Sequence, residues 1–185
     1  MHKSKKDNII NLKSEILFRE AEDDFLYFNK IKKAQNKLDK AIELTPFHHK
    51  SLVLKGDLLF IKGKTDEAFK LYKRAESVFC NNAKILASIA NCLEVKKDYN
   101  QALTYCNKAF MFLNEDNCQL SASLFELKTS VLLKLKRYEE AKRFVKDAKY
   151  KLSMYEISTL RSHKEVINLK LKLKEKLKIT NLQVL

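Results

Sequence analysis

The side chains that could ligate a metal or attack a substrate are few in this sequence, and their spacing argues against both uses. Cys80, Cys92, Cys106 and Cys118 are separated by 12, 14 and 12 residues, with no close pair and no adjacent histidine. Zinc sites bring ligands together in pairs about two to four residues apart, so these cysteines read as small apolar side chains kept reduced. His48-His49 stands at a helix start, and His163 lies on a late helical segment with no nucleophile near it in sequence. Both sites read as satisfied or solvated histidines. The sequence contains no glycine-rich phosphate loop, HExxH pair or nucleophile elbow. It therefore implies no catalytic residue, no metal and no cofactor, and leaves binding as the means of function.

Charge is the next resource. The 185 residues carry 37 Lys and Arg against 23 Asp and Glu, a net charge of +14. Such an excess attracts nucleic acid or an anionic surface when it is gathered on one face. Only Arg19, Arg74, Arg137, Arg143 and Arg161 are arginine, the residue suited to bidentate phosphate contacts. The lysines are mainly the solvated choice. The opening residues are basic but are not followed by an apolar run, so neither a signal peptide nor a membrane span is expected and the cytoplasm is the expected location.

The elements that must carry these residues are helical. Two glycines and one proline in 185 residues are too few for strands joined by tight turns. From Ala83 to Asp116 the pattern is complete: Leu86, Ile89, Ala90 and Leu93 mark one helical face, and Tyr99, Ala102, Cys106 and Ala109 mark the next. Ala102 and Ala109 shifted back by 34 fall on Ala68 and Ala75, then on Ala34 and Ala41. A fixed period of this length is the mark of a stacked repeat. Ala141 and Ala148 come 39 residues after Ala102 and Ala109, which implies about five inserted residues between Asn114 and Ser121.

In chain order, a first helix is predicted over 9–28, with Leu12, Ile16, Phe18, Ala21, Phe25 and Phe28 as buried positions. A second follows over 31–44, and Thr45-Pro46 is predicted to cap and open the third. Gly56 should admit a close neighbour, Gly63 should supply a left-handed helix end, and Thr65-Asp66-Glu67 should cap and charge the next N-terminus. Asn81-Asn82 reads as turn and cap. Ser153 with Glu156 forms a capping box that opens a last helix, which continues into the Lys170 to Lys178 run of alternate lysines.

On these residues the chain resembles a tetratricopeptide repeat protein. That pattern wants a large residue and, four on, a small one in the first helix, with Ala near the start and middle of the second. Leu86 and Ala90 with Ala102 and Ala109 meet it, as do Leu52 and Gly56 with Ala68 and Ala75, and Tyr138, Ala141 and Ala148 in the last unit. Phe18 followed by Glu22 and Phe125 followed by Thr129 depart from it. The resemblance implies an all-α, right-handed α-solenoid of antiparallel helix pairs: a basic extension over 1–14, four helix pairs over 15–153, and a capping helix with a basic tail over 154–185.

The resemblance also implies an inner groove lined by the first helix of each unit: Arg19, Asp23 and Tyr27, then Lys50, Asp57, Phe60 and Ile61, then Lys84, Asn91 and Glu94, then Glu126, Ser130 and Lys134. A mixed-charge lining with an apolar patch at Tyr27, Phe60 and Ile61 suits an extended or helical peptide of another protein. One subgroup of the family clamps the C-terminal carboxylate of heat-shock chaperones. The matching places here hold Arg19 and Asp23, Leu54, then Lys84 and Ser88, and Asp23 would repel a carboxylate, so that ligand is rejected.

The reading is a non-catalytic scaffold or adaptor that binds a protein partner. An RNA- or anionic-surface-binding module is the competing reading, weakened because alternate lysines scatter around a helix. A secretion-type chaperone is the third. Oligomeric state is open at this stage. Stacked helix pairs need small residues where they cross, so Ala102→Arg is expected to leave most of the protein insoluble, as measured by soluble yield and melting. Wild-type-like melting of that variant would refute the assignment.

Overall fold

A computed structural model describes residues 2–113 and 118–148, and all eight elements in them are α-helices. They are α1 (His2–Leu26), α2 (Ile31–Leu44), α3 (His49–Ile61), α4 (Thr65–Val78), α5 (Ala83–Val95), α6 (Tyr99–Met111), α7 (Cys118–Lys134) and α8 (Tyr138–Ala148). No described helix is long and apolar enough to cross a membrane. The expected capping box at Ser153 and the lysine run of the tail lie outside the described residues. The chain divides into two compact units, residues 1–92 and 93–185, with the division inside α5.

The repeat is written in the turns within each helix pair. Asn29, Gly63, Lys97 and Lys136 have φ of 49°, 76°, 63° and 59°. These positions are 34, 34 and 39 residues apart, the period seen in the alanines and the same five-residue insertion. At the last three turns the next N–H reaches back to close the helix end: Lys64 to the Leu59 carbonyl, Asp98 to Leu93 and Arg137 to Leu132, each at 2.9 Å. The insertion lengthens α7 to 17 residues where α5 has 13.

In the first unit, α1 packs on α2, α2 on α3 and α3 on α4. Phe18, Ala21, Ala34, Leu38, Leu54 and Leu58 form a core cluster against which Phe25 and Ile31 pack. Ala41, Ala68 and Ala75 are fully buried, so the alanine register marks the helix crossings. Gly56 has the role its size suggests: a Cβ there would stand 2.5 Å from the Tyr72 ring.

In the second unit, α7 packs on α6 and on α8. Ala102, Cys106, Ala109, Leu124, Val131, Leu132 and Ala141 are buried. Phe125 has its ring centroid 4.9 Å from Phe110 and 5.0 Å from Phe144. Thr129, which departs from the small-residue pattern, is fully buried and donates to the Phe125 carbonyl at 2.8 Å. Burial of its hydroxyl is thereby satisfied.

Four expectations are corrected. Helix α1 starts at His2 and stops at Leu26. Leu12 and Ile16 are exposed, because only the line through Phe18, Ala21 and Phe25 faces α2, and Phe28 is exposed in the turn beyond the helix end. Thr45 and Pro46 do not open α3; Thr45 ends α2, His48 N donates to the Thr45 carbonyl at 3.0 Å, and α3 begins at His49. Thr65 is the first residue of α4 and does not cap it, although Asp66 and Glu67 do place charge in its first turn. Asn82, by contrast, accepts from Ile85 N at 3.0 Å and caps α5 as expected.

Gly56→Ala should cost about 1–3 kcal/mol, because the added methyl meets a buried ring rather than a flexible side-chain end. Urea or thermal unfolding measures it, and an unchanged midpoint would show that Tyr72 moves aside freely.

Candidate functional site

In the first unit the odd-numbered helices share a charged face. Glu15 of α1 is its most connected residue. Its carboxylate accepts from Lys50 Nζ at 2.8 Å, from His48 Nε2 at 3.1 Å and from Arg19 Nε at 3.4 Å. The Lys50 bond, opposed by partial desolvation and supported by His48 and Arg19, holds the Glu15 carboxyl at about 2 instead of 4.5. Nδ1 of His48 lies 2.7 Å from Ser51 Oγ, and Ser14 Oγ lies 2.7 Å from Thr45 Oγ1.

Serine, histidine and glutamate in line have the atom types of an acyl-transfer relay. Ser51, however, has no exposed surface, so no substrate can reach its oxygen. With the proton on Nε2, His48 donates to Glu15 and accepts the Ser51 hydroxyl, which makes the line a brace between α1 and α3. The Phe18 ring closes it edge-on at 5.9 Å from His48.

Across α3, Tyr72 donates its hydroxyl to Asp57 Oδ1 at 2.7 Å, and Lys84 Nζ lies 3.6 Å from Asp57 Oδ2. Burial raises the Asp57 pKa against the pull of Lys84 and Tyr72. Burial, with Asp57 next in effect, also pushes the Tyr72 phenol up, so Tyr72 stays a donor.

Several of the expected groove residues therefore meet. Arg19, Asp23 and Lys50 line one shallow hollow of about 390 Å³ together with Glu15, Phe18 and Glu22. Asp57 pairs with Lys84. In the second unit Ser130 donates to Glu94, while Glu126 is half-buried and Lys134 exposed. Asn91 is half-buried on α5. Tyr27 is 76% exposed and stands in the turn after α1, and Phe60 and Ile61 end α3 half-buried and exposed. Leu54, at a clamp position, is buried in the core.

Glu15, Ser51 and Tyr72 were not among the expected site residues. Tyr72 was legible as core, and its hydroxyl needs a partner when buried, which is the one signal that pointed toward Asp57. Cys92 and Cys106 are poor nucleophiles: both are buried, and burial lifts the Cys106 thiol to about 12. Among the described residues no group of three or more His, Cys, Asp or Glu could hold a metal.

Comparison with known proteins agrees with this architecture. Residues 49–78, from α3 through the Gly63 turn to α4, match the tetratricopeptide repeat. The structure of PilF from Pseudomonas aeruginosa superposes with a TM-score of 0.75 at 16% identity, covering 88% of this chain and 71% of that one. MamA of AMB-1 gives 0.59 at 13% identity, over 74% and 72%. A Thermobaculum terrenum O-GlcNAc transferase mutant gives 0.58 at 16% identity, over 70% of this chain but 27% of that one. No curated protein matches the sequence. Residues 49–78 thus carry a tetratricopeptide repeat, a module that generally serves protein–protein interaction, and the chain as a whole shares the helical-repeat fold of these structures. At these identities the structural likeness concerns the fold.

The Glu15 carboxylate is favoured only in the folded state. Its contribution is full above pH 4.5 and is lost as pH falls through about 2. Glu15→Gln should therefore destabilise by on the order of 1 kcal/mol at neutral pH. The gap from wild type should close in acid, as read from melting at a series of pH values.

Proposed function

We propose that the chain is a cytoplasmic adaptor that holds an extended or helical peptide of another protein on the α1, α3 and α5 face of its first unit, and does no chemistry of its own. The observation that carries the reading is the Tyr72–Asp57–Lys84 row. A buried tyrosine fixes a carboxylate, the carboxylate positions a lysine, and the lysine side chain is still 61% exposed. A charge held in place loses little freedom when a partner carboxylate or peptide carbonyl docks on it. Arg19, Asp23 and Lys50 extend the row toward α1, and Tyr27 offers an exposed aromatic ring as anchor. Glu94, Glu126, Ser130 and Lys134 give the second unit a row of similar chemistry.

Buried Ser51 and the high thiol pKa of Cys106 support a binding role over catalysis. Capture of partners from the native source with the full chain tests the reading. Wild type should retain a protein that Lys84→Glu and Tyr27→Ala recover in much smaller amount. Equal recovery by all three would exclude this face, and tight RNA binding at physiological salt with a steep salt slope would favour the lysine-based alternative.

A further inference from the structure

Helix α1 is apolar on two opposite sides. One side, through Phe18 and Ala21, is buried against α2. The other carries Ile9, Leu12 and Ile16, which are 55%, 61% and 48% exposed. At about 100° per residue these three lie half a turn around the helix from Phe18 and Ala21. Their spacing of three and then four is that of a seam between two helices. Continued along α1, the same register reaches Lys5 before the seam and Arg19 and Asp23 after it.

Charge divides along the helix. Residues 2–8 hold three lysines against one aspartate, and residues 19–24 hold four carboxylates against one arginine. A parallel partner of the same sequence would set basic on basic and acidic on acidic. An antiparallel one sets each basic end beside an acidic end and aligns Ile9 with Ile16 in both directions. That self-complementarity is what a two-fold contact requires.

We propose that α1 is a self-association helix: a second copy of this chain lays its own α1 antiparallel along the Ile9, Leu12 and Ile16 stripe, with Leu12 near the two-fold axis. The contact excludes water from a stripe that a soluble monomer would otherwise expose. It uses the side of α1 opposite Phe18 and Ala21, so it does not compete with the packing of α1 on α2. Residue pairs whose numbers sum to about 25 meet.

Sedimentation of the full chain from low to high micromolar concentration tests this. Wild type should be a dimer that salt weakens. Leu12→Glu should raise the dimer Kd about tenfold or more, and Leu12→Ser should do so less strongly, both with unchanged helicity and melting. Orientation is read by disulfide capture in a Cys80→Ser, Cys118→Ser background. Ile9→Cys chains mixed with Ile16→Cys chains should cross-link, whereas either variant alone should not, since its two sulfurs would lie too far apart. A wild-type chain that stays monomeric would overturn the proposal, whatever else covers the stripe. So would a dimer that survives Leu12→Glu, or cross-linking of Ile9→Cys with itself as fast as in the mixture.

Discussion

The contact on which the first unit depends is the Tyr72 ring lying on the backbone of Gly56. Any side chain at 56 would stand within 2.5 Å of that ring, so α3 and α4 cross at a distance only glycine allows. The close crossing puts the tyrosine hydroxyl beside Asp57, and the carboxylate in turn meets Lys84 of α5. One side chain thus fills the core with its ring and orders a surface with its oxygen. A buried phenol without a partner would cost the desolvation of its hydroxyl, so core packing and surface order are obtained together or lost together.

The two units use their charged groups differently. In the first, carboxylates gather partners: Glu15 holds Lys50, His48 and Arg19, and Lys37 holds Asp24 at 2.8 Å and Glu20 at 3.1 Å. The Lys37 bond is the main reason the Asp24 carboxyl lies below its ordinary value. In the second, Lys128 sits over rings instead, with Nζ 4.4 Å from the Phe144 centroid and 5.3 Å from Phe110. Burial lowers its pKa, with Glu140 pulling the other way. The first unit's face is therefore polar and connected, and the second unit's interior is aromatic.

Much of the fold was legible in the sequence because it follows from neighbours along the chain. The alanines at 34, 41, 68, 75, 102 and 109 are all fully buried. The left-handed turn at Gly63 and the cap at Asn82 needed only local chemistry to recognise. The misreadings have a common physical form. Leu12 and Ile16 form an apolar side of their own opposite Phe18, and the sequence does not say which of two apolar sides a neighbour covers, while Phe28 falls in the turn after Leu26. The Thr45 hydroxyl has the chemistry of a cap, since it can accept a local N–H, but that oxygen instead meets Ser14 from another helix.

By itself the sequence determined the helices, their period, the five-residue insertion and the small residues at the crossings, since each depends on a few consecutive positions and on backbone sterics. Only the tertiary structure decided who partners whom. Glu15 finds His48 and Lys50 across separations of 33 and 35, and Ser130 finds Glu94 across 36. Stacked units bring residues about one repeat apart side by side, but charges at many positions satisfy that spacing. The choice among them is made by side-chain direction and by burial, and both exist only once the helices have packed.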